Sequence, residues 1–309
     1  MSQDKAKSVN TTGHVWDETL QELTNPLPMW WIWTFYLTVI FSIIYWVMYP
    51  AWPIGTSYTK GTGNTITYTA KTVAGKEEQK TTHWNMRSKL MAEMNVHNAE
   101  QKQWFDKVAA LPYEEVSKNA DLMNFVNSAG ATLFKDNCAP CHQAGGVGKV
   151  TFSPNLVDDV WIYGGTYEKI QETITMGRNG MMPAFKGVLP DDKIKQVGNY
   201  VLSLSGEPHD AEAAKAGDAI FHGEGGCAVC HGPDAKGNPA LGSANLTDKN
   251  WLWANVPAQS TAEGKLSEVV NLVSGGMSRG KMPTWGGRLK PEQIKVLTLY
   301  VHDSLGGGK

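Results

Sequence analysis

Positions 29–49, MWWIWTFYLTVIFSIIYWVMY, run for 21 residues without a charged side chain. At about 1.5 Å of rise per residue, a helix of that length crosses the roughly 30 Å hydrocarbon core of a bilayer. Trp30, Trp31 and Trp33 crowd one end; Tyr45, Trp46, Tyr49 and Trp52 crowd the other. That is the aromatic belt of a membrane span. The run is too long for a signal-peptide core, and no A-x-A site follows it. Pro50 and Pro53 end the helix.

On either side the pattern changes. Residues 1–28 are polar and mixed in charge, Lys5 and Lys7 standing against Asp4, Asp17, Glu18 and Glu22, with a short helix expected around 17–23. Residues 54–82 are rich in Gly, Thr, Ser and Lys, and the loose β-branched alternation of 64–73 predicts a small hairpin or an extended linker. From His83 to Leu111 apolar residues return at three- and four-residue steps (Leu90, Met94, Val96, Trp104, Phe105, Val108), which predicts a helix that Pro112 stops.

Beyond residue 125 the pattern repeats itself. Ala129-Gly130-x-x-x-Phe134 is matched by Ala216-Gly217-x-x-x-Phe221, and Asn155-Leu156-x-Asp158-x-x-Trp161 by Asn245-Leu246-x-Asp248-x-x-Trp251. Gly180-x-Met182-Pro183-x-Phe185 returns as Gly280-x-Met282-Pro283-x-Trp285. Leu189, Ile194, Tyr200 and Val201 return 100 positions later as Leu289, Ile294, Tyr300 and Val301. The expected organisation is an arm (1–28), a transmembrane helix (29–49), a linker with a helical segment (50–120) and two copies of one domain (121–206 and 207–309). The turn-forming Ser205-Gly206-Glu207-Pro208 marks the break between the copies. In each copy a small Gly on the opening helix permits close approach of another helix, and Tyr200 or Tyr300 is the residue expected to fill that crossing.

Each copy carries one Cys-x-x-Cys-His: Cys138-Ala139-Pro140-Cys141-His142 and Cys227-Ala228-Val229-Cys230-His231. Together they use all four cysteines in the chain. This is the attachment signature of c-type haem, two thiols for the two vinyl groups and an imidazole for one face of the iron. A zinc site or a redox pair would use a similar spacing, but two copies with no spare cysteine favour two covalently bound haem c groups. The absence of other cysteines leaves no disulfide framework. Net charge is −2 and the pI about 6.4, with no basic run, so nothing points to nucleic acid. His83, His97, His209, His222 and His302 read as surface or structural residues.

The order helix, Cys-x-x-Cys-His, long loop, Met-Pro, closing helix resembles class I cytochrome c. The resemblance implies a mainly α, loop-rich fold, with the porphyrin as much of the core. The iron then needs a sixth ligand, and Met raises its reduction potential. Met182 and Met282 are the candidates, because they align and each precedes a Pro that stiffens the loop. Met181, Met176 and Met277 are the rivals, and each domain is taken to ligate its own haem. His142 is expected to give its other ring N–H to the Pro154 carbonyl, and His231 to the equivalent carbonyl of Ala244.

Asn25-Pro26-Leu27-Pro28-x-Trp30-Trp31, at the start of the span, is similar to the di-haem subunit III (CcoP or FixP) of cbb3-type cytochrome c oxidases. The resemblance covers residues 20–53 and 125–305; the insert at 54–120 departs from it. It implies an inner-membrane subunit with its haem domains in the periplasm, an extracytoplasmic compartment being where c-type haem is attached. Lysine count leans the other way, with two in the arm against four in 50–80. It further implies electron entry from a soluble periplasmic cytochrome c, then transfer to the mono-haem and catalytic subunits of a proton-pumping complex. The span has no charged residue to carry protons itself, and the chain holds no oxygen-reducing site. The rival readings are an electron-accepting cytochrome subunit of a periplasmic dehydrogenase and a di-haem peroxidase.

Overall fold

The structure, a computed structural model, describes residues 10–72 and 76–306, the side chains of 279 and 280 excepted. Asp4, Lys5, Lys7 and Val73 lie outside the described residues. The chain divides into two compact units, Met1–Glu100 and Gln101–Lys309.

In the first unit, β1 (Thr11–Trp16) pairs antiparallel with β2 (Leu20–Leu23). The helix expected at 17–23 is therefore a hairpin. β-Branched Thr11, Thr12 and Val15 suit a strand, and Asp17 and Glu18 turn the chain with positive φ (45° and 67°). Helix α1 (Met29–Met48) follows, none of its residues buried, so its apolar surface faces outward all round. Its C-terminal end carries an aromatic collar: Trp46 meets Trp52 (4.8 Å between centroids) and Tyr49 meets Trp84 (4.7 Å). Two short strands, β3 (Pro53–Ile54) and β4 (Ser57–Tyr58), lie beyond it. β5 (Thr65–Lys71) then pairs with β6 (Glu77–His83), Thr67 and Thr81 hydroxyls bonding across at 2.8 Å. The hairpin expected from 64–73 exists, and that segment supplies its first strand. Helix α2 (Met86–Ala110) starts on Asn85, whose Oδ1 accepts from Ser88 N–H at 2.9 Å. It ends before Pro112 and leads into the second unit.

The second unit holds α3 (Tyr113–Lys118), α4 (Ala120–Asn137), α5 (Ala139–His142), α6 (Tyr167–Met176), β7 (Arg178–Met182) and α7 (Asp191–Leu204). The second copy follows as α8 (Ala211–His222), α9 (Cys227–His231), α10 (Ala262–Gly275), β8 (Met277–Met282) and α11 (Pro291–Leu299). Their cores do not follow the repeat. Val108, Val116, Leu122 and Val126 close on Val296 and Leu299 of α11. Phe134, Ile170 and Ile174 close on Ile294, Leu297 and Val301. The other core is Ile194, Val197, Val201 and Leu202 of α7 against Ile220 of α8 and Val269 and Val273 of α10. So α4 and α6 of the first copy pack with α11 of the second, whereas α7 of the first packs with α8 and α10.

The chain crosses between the two bodies on β7 and β8, which pair antiparallel with Arg178 opposite Met282 and Met182 opposite Met277. Gly177 and Gly276 make the crossing possible. Both have positive φ, and a side chain on either would strike the other copy's Met-Pro backbone. The anticipated break at 205–208 is the turn of a helical hairpin. Asn199 Oδ1 accepts from Asp210 N–H at 2.8 Å, and Asp210 in turn caps α8 through Ala213 N–H at 2.8 Å.

Each opening-helix Gly does meet a closing-helix Tyr, but the partners are exchanged between the copies: Gly130 meets Tyr300 and Gly217 meets Tyr200, where a crossing within each copy was expected. A Cβ on Gly130 would lie 2.6 Å from Tyr300 Cβ, and one on Gly217 would lie 2.9 Å from Tyr200 Cβ and strike the Gln196 carbonyl. Gly217→Val is therefore expected to force α7 from α8 at a cost of about 1–3 kcal/mol or more. A lowered Tm checks this; an unchanged one would mean the crossing tolerates bulk.

Candidate haem sites

The backbone puts each Cys-x-x-Cys-His on a single helical turn. His142 N–H bonds the Cys138 carbonyl at 2.9 Å and Cys141 N–H the same carbonyl at 3.1 Å. Both thiols and the imidazole thereby lie within one turn, as one porphyrin requires. None of the four cysteines forms a disulfide. Burial pushes the Cys138 thiol up to about 11 and raises that of Cys227 as well. A thiol held protonated is a poor redox nucleophile, which separates these sites from a Cys-x-x-Cys oxidoreductase. Among the described residues no three His, Cys, Asp or Glu side chains gather as a metal site of their own.

The two motif histidines are fixed identically in the two copies. His142 Nδ1 bonds the Pro154 carbonyl at 3.0 Å, and His231 Nδ1 bonds the Ala244 carbonyl at 2.8 Å. That sets the tautomer and leaves Nε2 for iron. Burial pushes both imidazoles below their usual range, against the carbonyl contact, which keeps them neutral and able to ligate. Two further bonds brace each loop: Gly148 N–H to the His142 carbonyl (2.9 Å) and Gly237 N–H to that of His231 (2.8 Å). Sequence reasoning passed over one pair of residues. Ser153 Oγ donates to the Cys141 carbonyl at 2.7 Å, and Ser243 Oγ to the Cys230 carbonyl at 2.5 Å. Their signal was their equal place in the repeat, one residue before Pro154 and Ala244. The donor set and its supports fit covalent haem c at both motifs.

The methionines fall on opposite sides of the exchange. Met182 and Cys227 both pack against the α7–α8–α10 core. Met282 and Cys138 both pack against the α4–α6–α11 core. Met181 is 79% exposed and Met176 67%, so both rivals in the first copy point away from either core. Met277 lies opposite Met182 in the ribbon. Five further histidines stand exposed or bond to other groups. His83 is exposed, His97 pairs with Glu100 at 3.6 Å, and His209 bonds the Glu207 carbonyl at 2.8 Å. His222 spans the Asp218 and Pro233 carbonyls at 3.0 and 2.9 Å. His302 stacks on Tyr167 (3.8 Å) and bonds Asp303 (2.8 Å), so it is structural.

One long apolar helix ahead of two Cys-x-x-Cys-His helices, each with a carbonyl-oriented histidine, defines a membrane-anchored c-type cytochrome. Residues 8–56 match the family described as the N-terminal domain of cytochrome oxidase-cbb3, FixP. Residues 126–201 and 212–301 match cytochrome c oxidase, cbb3-type, subunit III. The chain is 43% identical to the cbb3-type cytochrome c oxidase subunit FixP of Azorhizobium caulinodans, over 99% of this chain and 96% of that one. It is 38% identical to subunit CcoP of Azospirillum brasilense, over 99% and 98%. With subunit CcoP of Rubrivivax gelatinosus it shares 42%, over 94% and 83%. The chain belongs to the subunit III family of cbb3-type cytochrome c oxidases.

Proposed function

We propose that the chain is the electron-entry subunit of a cbb3-type oxidase and carries two covalently bound haems. Electrons come from a soluble periplasmic cytochrome c and pass through both haems to the mono-haem subunit. Oxygen is reduced in the catalytic subunit, and this chain contributes electron transfer alone. The N-terminal arm lies in the cytoplasm, and the two haem bodies lie in the periplasm. Cys138, Cys141 and His142 hold one haem; Cys227, Cys230 and His231 hold the other.

The observation that carries this reading is the segregation of each methionine with the other copy's cysteines. Met282 is the sixth ligand of the haem on Cys138 and Cys141, and Met182 that of the haem on Cys227 and Cys230. The sequence reading kept each methionine within its own copy; the packing of α7 and α11 supports the exchange. Methionine on both irons suits electron transfer and leaves no open position for peroxide.

The test is the haem count of the purified chain followed by electron delivery. A denatured chain is expected to retain two haems, read by pyridine haemochrome. His142→Ala and His231→Ala should each lower oxygen uptake with a soluble cytochrome c donor at least tenfold. One haem per chain, or undiminished uptake in both variants, would refute the assignment.

A further inference from the structure

The N-terminal hairpin leaves its apolar side chains uncovered. Val15, Trp16, Leu20 and Leu23 are all exposed, Trp16 by 53% and Leu20 by 66%. Trp16 stands opposite Leu20 across the ladder, so the two share one face beside the turn. His14 stacks on Trp16, with 5.8 Å between ring centroids. The turn itself is Asp17-Glu18-Thr19, closed by Thr19 N–H on the Asp17 carbonyl at 2.8 Å. The tip therefore sets two bulky apolar side chains next to two carboxylates, with Glu22 two positions beyond Leu20. A two-stranded hairpin alone is marginally stable in water, so a covering surface stabilises both the pair and the fold that presents it.

The hairpin is also held on a short, stiff stem. Thr24 closes its base, N–H and Oγ1 both donating to the Asn10 carbonyl at 2.7 and 2.6 Å. From there to α1 the link is Asn25-Pro26-Leu27-Pro28. Each proline fixes its own φ and drives the residue before it to extended backbone. Four residues reach about 14 Å at most, so the hairpin stays close to the bilayer surface where α1 begins. Three surfaces lie within that reach: lipid headgroups, a second copy of this chain, and another membrane subunit.

Charge separates them. Among the described residues of the arm, Asp17, Glu18 and Glu22 are all the Asp, Glu, Lys and Arg there are. With Asp4, Lys5 and Lys7 the arm has four acidic residues against two lysines. The cytoplasmic leaflet is anionic and repels an acidic tip, and two copies of that tip repel each other. The cytoplasmic loops of membrane-spanning proteins carry an excess of Lys and Arg, which attract it.

We propose that the tip of this hairpin docks on the cytoplasmic face of a membrane-spanning subunit of the oxidase, Trp16 and Leu20 entering an apolar pocket while Asp17, Glu18 and Glu22 pair with Lys or Arg of its loops. The proposal rests on the reading that places the arm in the cytoplasm.

The experiment expresses the full chain with the other oxidase subunits and measures how much of it the catalytic subunit retains on purification, relative to haem-stained chain in the membrane. Asp17→Lys/Glu18→Lys and Trp16→Ala/Leu20→Ala are each expected to cut retention about tenfold or more, as loss of an interface anchor does. A tip that faces lipid or a second copy would lose nothing on charge reversal, because reversal relieves the repulsion in both cases. Undiminished retention in either variant overturns the proposal. If Trp16→Ala/Leu20→Ala does not accumulate, the charge reversal, on exposed turn residues, decides alone. The topology is checked separately with Thr19→Cys, labelled by an impermeant maleimide in sealed vesicles that hold this chain without its partners. Labelling from the periplasmic side alone refutes the cytoplasmic arm and the docking with it. Labelling from the cytoplasmic side with undiminished retention refutes the docking alone.

Discussion

A chain ended after Gly276 is expected to keep the haem site of its second motif and lose that of its first. The deletion removes β8 and α11, and with them Ile294, Val296, Leu297, Leu299 and Val301, each no more than 5% exposed. These side chains fill the core around α4 and α6. At about 1.5–3 kcal/mol per buried aliphatic side chain, their loss is comparable to a domain's whole stability of about 5–15 kcal/mol. The other core runs from Leu189 to Val273 and stays complete. Limited proteolysis with haem staining checks this. The expected pattern is a protected haem fragment spanning the second motif, with residues 101–176 digested. Protection of the first motif and digestion of the second would mean that each copy folds on itself.

Replacing the methionines should produce crossed effects. In a chain whose second motif is disabled by Cys227→Ala and Cys230→Ala, Met282→Ala is expected to abolish the weak long-wavelength band of a methionine–iron bond. Met182→Ala should leave that band in place. In the converse chain, with Cys138→Ala and Cys141→Ala, the roles reverse. Loss of the thioether ligand should also lower the potential of the affected haem, because methionine ligation raises it. If Met182 governs the first haem instead, the place of Met282 beside the core that holds Cys138 is packing alone.

The site was more legible than the connectivity. Both Cys-x-x-Cys-His motifs, the Pro154 and Ala244 carbonyls and the meeting of each opening-helix Gly with a closing-helix Tyr follow from residue chemistry and the internal repeat. The exchange does not, because a repeat shows which segments are equivalent and not which copies touch. Gly130 offers the same gap to Tyr200 as to Tyr300. What decides between them is the short link at 205–210, where Asn199 bonds Asp210 and lays α7 against α8. The N-terminal hairpin was hidden because a strand that exposes every residue, as β1 and β2 do, has no buried face to impose alternation. The partner strand of β5, EEQKTTH, was masked by its charges in the same way.

The exchanged closing helices also dictate an order of biogenesis. On the proposed topology the residues beyond the span are exported in chain order, and the first Cys-x-x-Cys-His meets the attachment machinery well before the second. Yet the core around the first waits for Ile294, Leu297 and Val301, which follow the whole of the other core in the chain. The core around the second motif is contiguous in sequence, and all its parts have emerged once Val273 is across. The haem attached first is thus the last to be enclosed. Until the final helix arrives, any chaperone that protects a half-built subunit has that first haem to shield.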